Sequence, residues 1–146
     1  MTRPMRVLLV EDNPADALLS REILADSKLH IEISLAANGE EALDFLYGRG
    51  KFAGEPKPDL ILLDLNMPGK DGRAVLTEIK STENFKRIPV VILTSSNAER
   101  DVIQSYHLGA NCYVVKPVDF QAFQTIVQAV ENFWFTIVEL PPPANG

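Results

Sequence analysis

The sequence has few cysteines, fewer cationic than anionic side chains, and no apolar run long enough to cross a membrane. Cys112 is the one cysteine among 146 residues, so a disulfide within the chain is excluded. Lys and Arg number 14 against 20 acidic residues, a formal charge of −6, which argues against nucleic-acid binding because phosphate contacts require a basic surface. There is no recognisable signal sequence, and we expect a cytoplasmic protein without membrane or nucleic-acid partners.

What the sequence does contain is a series of short apolar runs. Those at residues 7–10, 60–63, 89–94 and 112–115 have the length and aliphatic content of strands buried on both faces. A further run at residues 31–35 alternates apolar and polar residues, which is typical of a half-exposed strand near a sheet edge. The pattern predicts five strands.

Helical patterns follow these runs. The first begins at Asn13-Pro14, and a capping box at residues 96–99 starts the fourth, which Gly109 is predicted to end. Residues 47–58, rich in Gly and charge, are predicted to form a solvated loop, the alternative being a partner contact. The expected core residues of the first, second, third and fifth helices are Ala15, Leu19 and Ile23; Ala42, Phe45 and Leu46; Ala74, Val75, Leu76 and Ile79; and Phe120, Phe123, Ile126, Val127 and Val130.

This alternation of strands and helices predicts an α/β fold. Five parallel strands with helices on both faces fit the flavodoxin-like order 2-1-3-4-5. We expect residues 1–135 to form one domain and residues 136–146 to form a C-terminal extension that is partly apolar and then Pro-rich.

Polar residues stand where four of the predicted strands end. Glu11 and Asp12 follow the first strand and Asp64 ends the third, so the order 2-1-3-4-5 brings these carboxylates together. Their mutual repulsion calls for a hard cation, and all-oxygen ligation favours Mg²⁺. Thr94 and Lys116 end the fourth and fifth strands, and a hydroxyl and an ammonium facing Asp64 suit a phosphoryl group. Asp64 is then the predicted nucleophile.

These residues carry a resemblance to a known family. The sequence resembles the CheY-like receiver domain of two-component response regulators over residues 6–133. The matching residues are Glu11-Asp12, Asp64 with Met67-Pro68-Gly69 and Gly72, Thr94-Ser95, and Lys116-Pro117.

The resemblance implies Mg²⁺-dependent phosphotransfer from a histidine kinase to Asp64. It implies that Asp12, Asp64 and the backbone carbonyl of Asn66 hold the metal, with Glu11 acting through water. It also implies a switch in which Thr94 and Tyr113 move on phosphorylation and change the surface of the fourth helix, fifth strand and fifth helix. The protein is then a phosphoacceptor rather than an enzyme, although it catalyses its own phosphorylation and dephosphorylation.

Two features indicate partners. Phe133, Trp134 and Phe135 are adjacent aromatics that cannot all face the core, which predicts a homodimer through the fifth helix and its extension. The long loop after the second helix, the stretch at residues 65–73 and this aromatic tail are similar to single-domain regulators of phytochrome-type histidine kinases. The partner implied is a light-sensing kinase.

Two other functions stay open. A pseudo-receiver would use the same fold as an interaction module without phosphorylation, but the complete set of strand-end residues argues against it. A haloacid-dehalogenase-like phosphatase would also use a strand-end Asp with Mg²⁺. It would need a second Asp two residues after the nucleophile, where this sequence has Asn66.

Overall fold

A computed structural model describes residues 4–25, 30–65, 72–94, 107, 109–110 and 112–115. The predicted fifth helix lies outside these residues, as does the predicted fourth helix apart from residues 107 and 109 near its end. Within the described ranges, no helix combines the length and the apolar character that a membrane span requires. The elements, in chain order, are β1 (Met5–Val10), α1 (Pro14–Ala25), β2 (Ile31–Ala36), α2 (Gly39–Tyr47), a 3₁₀ turn (Gly50–Phe52), β3 (Leu60–Asp64), α3 (Gly72–Ser81), β4 (Val90–Thr94) and β5 (Cys112–Val115).

The strands form one parallel sheet in the order β2-β1-β3-β4-β5. The register aligns Val10 with Leu63, and Leu63 with Ile92. Every residue of β3 is buried, as expected for a central strand, whereas β2 at the edge is mostly half-exposed. The predicted five-stranded arrangement is therefore confirmed.

Apolar side chains leave the sheet on both faces and form two cores. On one face, Val7 and Leu9 of β1 pack in a cluster that includes Leu24 of α1. On the other, Leu8 and Val10 share a cluster with α2 and α3. Each fully buried Leu or Val contributes about 1.5–3 kcal/mol relative to an exposed one, so both layers stabilise the sheet.

The predicted core stripe of α1 is wrong at Ala15 and Leu19, whereas the side chain of Ile23 lies outside the description. Ala15 is exposed and Leu19 is 39% exposed, so neither faces the core. Asn13 caps the helix by accepting from the N–H groups of Ala15 and Asp16, at 2.9 and 3.1 Å. Apolar residues occur all around this helix, with Leu18 59% exposed, so their spacing did not determine which face is buried. Among the described side chains of α1, the buried ones are Ala17, Ser20 and Leu24.

The other helix predictions hold better. In α2, Ala42, Phe45 and Leu46 are buried as predicted. In α3, Ala74 is exposed, contrary to prediction, but the other three expected residues are buried: Val75, Leu76 and Ile79.

The loop at residues 47–58 is mostly exposed, as predicted, but two aromatic contacts attach it to the domain. Phe52 packs on the α2–α3 core, with its ring 5.3 Å from that of Phe45 in an edge-to-face arrangement. Tyr47 makes a similar contact with Phe85, at 5.0 Å. The loop is therefore anchored rather than wholly solvated.

Lys80, near the end of α3, connects this helix to two other segments. Its ammonium donates to the carbonyls of Ile88 at 2.7 Å and Lys86 at 3.2 Å. Burial lowers the pKa of Lys80 below its usual value. A Cβ at Gly109 would lie 2.8 Å from Lys80 Cγ, so the lysine stem lies directly against that backbone. Gly109 has φ +104°, within the left-handed range that its predicted helix-ending role requires.

Two side-chain hydrogen bonds, arranged much as in a capping box, begin α2. Asn38 Oδ1 accepts from the N–H of Glu41 at 2.8 Å, and Glu41 Oε1 accepts from the N–H of Ala37 at 3.0 Å. The Ala37 hydrogen bond, with a smaller contribution from Lys51, holds the pKa of Glu41 below its usual value against the opposing effect of burial.

We expect Glu41→Gln to lower the free energy of unfolding at neutral pH by about 0.5–1.5 kcal/mol, because a neutral acceptor makes a weaker hydrogen bond. A lowered folded-state pKa means that the carboxylate stabilises the fold above about pH 4.5, and that this stability is lost as pH falls through the folded pKa. The difference between wild type and variant should therefore vanish in acid. Urea denaturation at several pH values measures it. Glu40→Gln, in the same turn, is the control, and an equal effect there would contradict the assignment.

Candidate functional site

The sheet order places three carboxylates at one edge. Glu11 directly follows β1 and Asp64 ends the neighbouring strand β3. One oxygen from each of Glu11, Asp12 and Asp64 lies within 4.8 Å of the others. Glu11 is 2% exposed and Asp64 is 3% exposed, whereas Asp12 is exposed to solvent. The structure thus brings together the three acidic residues that the sequence singled out.

Backbone hydrogen bonds hold these residues in place. The N–H of Glu11 donates to the carbonyl of Ala36 at 3.0 Å, which continues the β1–β2 ladder by one residue. The N–H of Leu65 donates to Leu93 at 3.1 Å and extends the β3–β4 ladder past Asp64. The carboxylates therefore project from paired strand ends rather than from free loops. Such ends cannot separate without breaking the sheet.

The electrostatics of this cluster are unfavourable without a counter-charge. Acidic side chains are rarely buried unless they are paired, and like charges this close repel strongly where solvent is excluded. The N–H of Asn13 donates to Glu11 Oε2 at 3.3 Å and holds one oxygen of this carboxylate. Carboxylate oxygens are the ligands that Mg²⁺ prefers, with water completing the coordination. The donor set fits this metal.

The remaining predicted residues are described only in part. Thr94 ends β4 and pairs in register with Val115, so its backbone reaches the same sheet edge, but its side chain lies outside the description. Tyr113 in β5 is half-buried and packs against the α2–α3 core. Asn66, Lys116 and the aromatic residues Phe133, Trp134 and Phe135 lie outside the described residues. The roles assigned to all of them stay predictions.

One contact at this edge was not foreseen. Gly72 begins α3, and its N–H donates to the carbonyl of Leu65 at 3.0 Å, which brings the helix against the strand end that carries Asp64. In the sequence Gly72 stood out only as part of a motif. Its place in a buried contact depends on the helix and strand packing together, which no local pattern shows.

The fold and this acidic edge define a class of protein. A family model for the response regulator receiver domain matches residues 7–128, and the chain belongs to that family.

Particular relatives are similar over nearly the whole chain. Response regulator Rcp1 from Synechocystis sp. is 47% identical over 138 residues, which is 94% of each chain. The crystal structure of the Mn²⁺-bound form of Rcp1 matches 95% of this chain and 100% of its own, with a TM-score of 0.79 and 47% identity. The crystal structure of the phosphorylated cyanobacterial phytochrome response regulator RcpA, also 47% identical, matches 96% and 100%, with a TM-score of 0.81.

These comparisons confirm the predicted class and cofactor. The protein is a response regulator of two-component signalling, and phosphorylation on an aspartate is typical of its family. Receiver domains bind Mg²⁺ in an acidic pocket, and the cluster of Glu11, Asp12 and Asp64 supplies one here. Several of the similar solved structures are described as phytochrome or bacteriophytochrome response regulators.

The repulsion within the cluster gives a test of metal binding. Without metal, Asp12→Asn should raise the free energy of unfolding, because it removes one of three like charges. With Mg²⁺ at about a hundredfold the wild-type Kd, wild type should gain about 2.7 kcal/mol, and the variant less. The stability advantage of the variant in the absence of metal should therefore shrink or reverse when Mg²⁺ is present. Thermal unfolding in EDTA and in Mg²⁺ measures both.

The matched control is Glu22→Gln, which removes an exposed carboxylate of α1 away from the cluster. We expect it to gain as much from Mg²⁺ as wild type does. An Asp12→Asn variant with the same Mg²⁺ gain as wild type would show that the cluster does not bind the ion.

Proposed function

We propose that this chain is a single-domain response regulator that accepts a phosphoryl group from a histidine kinase on Asp64 and signals by changing its protein-interaction surface. One observation carries the proposal: Asp64 is 3% exposed at the end of the central strand, beside two further carboxylates. Strands on both sides fix its backbone, through the pairing of Leu63 with Val10 and of Asp64 with Leu93. Such rigidity suits a nucleophile that must meet a donor in line.

In the proposed reaction, an oxygen of Asp64 attacks the phosphorus of a phosphohistidine. The new O–P bond forms as the P–N bond breaks, and the imidazole leaves with the bonding electron pair. Lys116 neutralises a phosphoryl oxygen and the Thr94 hydroxyl donates to another. Glu11, Asp12, Asp64 and the Asn66 carbonyl would hold Mg²⁺, Glu11 through water, and the bound ion offsets negative charge on the transferred group. The chain thus supplies catalysis for its own modification and for its later hydrolysis.

The proposed switch joins Thr94 to Tyr113. These residues lie on the adjacent strands β4 and β5. Thr94 pairs with Val115, which is two residues after Tyr113. The ring of Tyr113 is half-buried and packs against the α2–α3 core. A movement of Thr94 toward the phosphoryl group would leave room for that ring to turn inward. The surface formed by β5 and its flanking helices would then change.

The nucleophile is tested by incubating wild type and Asp64→Asn with Mg²⁺ and acetyl phosphate, followed by intact mass analysis. Wild type should gain the mass of one phosphoryl group, and the Asn variant should gain none, because an amide cannot form the acyl phosphate. Asp12→Asn should be modified more slowly, since Asp64 would remain while a metal ligand is lost.

Modification of Asp64→Asn to the wild-type extent would place the nucleophile elsewhere. No modification of wild type by either acetyl phosphate or a phosphorylated histidine kinase would favour the phosphorylation-independent pseudo-receiver instead.

The partner proposed is a phytochrome-type histidine kinase. The support is the similarity to Rcp1 and to RcpA, the latter described as a phytochrome response regulator, over at least 94% of this chain. We propose that the two proteins meet in the cytoplasm.

We further propose that residues 1–135 form the receiver domain and that residues 136–146 form an extension used in a homodimer. The support is the adjacent aromatics Phe133, Trp134 and Phe135, which a single helix face cannot bury together. The fifth helix would supply the remaining contact, in a two-fold arrangement.

Sedimentation velocity of the full chain tests the dimer. We expect concentration-dependent association, and we expect Trp134→Ala to raise the dimer Kd by about thirtyfold or more, as loss of a central aromatic does in protein interfaces. Leu18→Ala, which truncates a 59% exposed apolar side chain on α1, is the control and should leave the Kd unchanged. A wild-type monomer at high micromolar concentration, with and without phosphorylation, would contradict the proposal.

A further inference from the structure

Gly72 occupies a place where no other residue fits without movement. A Cβ at this position would lie closer than 3.0 Å to both the carbonyl oxygen of Asp64 and the Cα of Leu65, a separation that real Cβ atoms essentially never show. Gly72 is not among the glycines with positive φ, so its backbone conformation does not require glycine. Glycine is required here because the start of α3 approaches the backbone at the end of β3 so closely.

The atoms that a Cβ would meet cannot easily yield. They belong to the backbone of Asp64 and Leu65, and the N–H of Leu65 is hydrogen-bonded to Leu93 of β4 on the other side. The Asp64–Leu65 peptide is therefore held between β4 and the first residue of α3.

The helix cannot easily yield either. Val75, Leu76 and Ile79 of α3 are fully buried in the core beneath it. Moving α3 outward would open this packing, which is as dense as an organic crystal. An added methyl group must therefore displace the Asp64–Leu65 peptide, the helix, or both by a fraction of an ångström.

We propose that Gly72 is a positioning residue of the carboxylate site. Its missing side chain lets α3 press directly on the peptide that follows Asp64, and this contact sets the position of the Asp64 carboxylate relative to those of Glu11 and Asp12. Gly72 itself touches neither metal nor phosphoryl group. The inference concerns metal binding first, and it rests on the proposed function only where phosphorylation is concerned.

The experiment compares Mg²⁺ binding to full-length wild type and Gly72→Ala by isothermal titration calorimetry. We expect the variant to bind Mg²⁺ about ten- to a hundredfold more weakly, the range typical of residues that orient metal ligands. At Mg²⁺ concentrations that saturate both proteins, its phosphorylation by acetyl phosphate should remain slower, because Asp64 is then misplaced as a nucleophile as well.

Ile79→Val separates positioning from stability. It weakens the packing of the same helix two turns away, on the core side and away from Asp64. This variant should keep wild-type Mg²⁺ affinity at temperatures where all three proteins are folded. A Gly72→Ala affinity within about twofold of wild type, or an equal loss in Ile79→Val, would overturn the proposal.

If Gly72→Ala does not fold, a measurement on wild type alone still tests the proposal. Coupling between two sites is reciprocal, so if the Gly72 contact favours metal binding, metal binding must favour that contact. Hydrogen exchange followed by NMR should show the Gly72 amide, bonded to Leu65, exchanging several-fold more slowly with saturating Mg²⁺. Unchanged Gly72 exchange would refute positioning. Failure of wild type to be phosphorylated at Asp64 would instead refute the proposed function, while the Mg²⁺ comparison would still stand.

Discussion

The constraint on which the site depends is the gathering of three like charges at the carboxyl ends of two neighbouring strands. Parallel strands end at a common edge, and the pairing of β1 with β3 forces Glu11, Asp12 and Asp64 within 4.8 Å of one another. Two of these groups are almost completely buried. Water therefore cannot screen their charge as it screens surface carboxylates. The fold therefore offers a cation a site whose carboxylate ligands are already assembled.

Helix α3 runs from the carboxyl ends of the strands, where the carboxylates lie, to the end of the sheet at which β4 and β5 begin. At its first residue, Gly72 contacts the backbone after Asp64. At its other end, Lys80 binds the carbonyls of Lys86 and Ile88 and lies against Gly109. The segments contacted by Lys80 lead into β4 and β5, the strands that carry Thr94 and Tyr113. One rigid helix thus contacts the strand of the proposed nucleophile and the segments that lead into both proposed switch strands.

The sequence was sufficient to predict the sheet, because buried strands are short continuous apolar runs and their order follows from alternation with helices. It was sufficient to bring Glu11, Asp12 and Asp64 together, because each ends or follows such a run. It failed for α1, where Leu19 was expected inside although Ala17 and Leu24 are the buried residues. Apolar residues around that whole helix leave its rotation to be decided by tertiary packing. The contact at Gly72 was missed for a related reason: a close approach of two backbones leaves no periodic signal.

The edge strand β2 has a consequence for the behaviour of the protein at high concentration. In the part of the chain that is described, β2 pairs only with β1, so its outer side presents unpaired backbone groups. Such an edge can recruit another copy and start aggregation. Here β2 is only six residues long, and Glu32 places an exposed carboxylate at its second position. Two copies meeting edge to edge would bring these charges near each other, which favours colloidal stability over fibrous association.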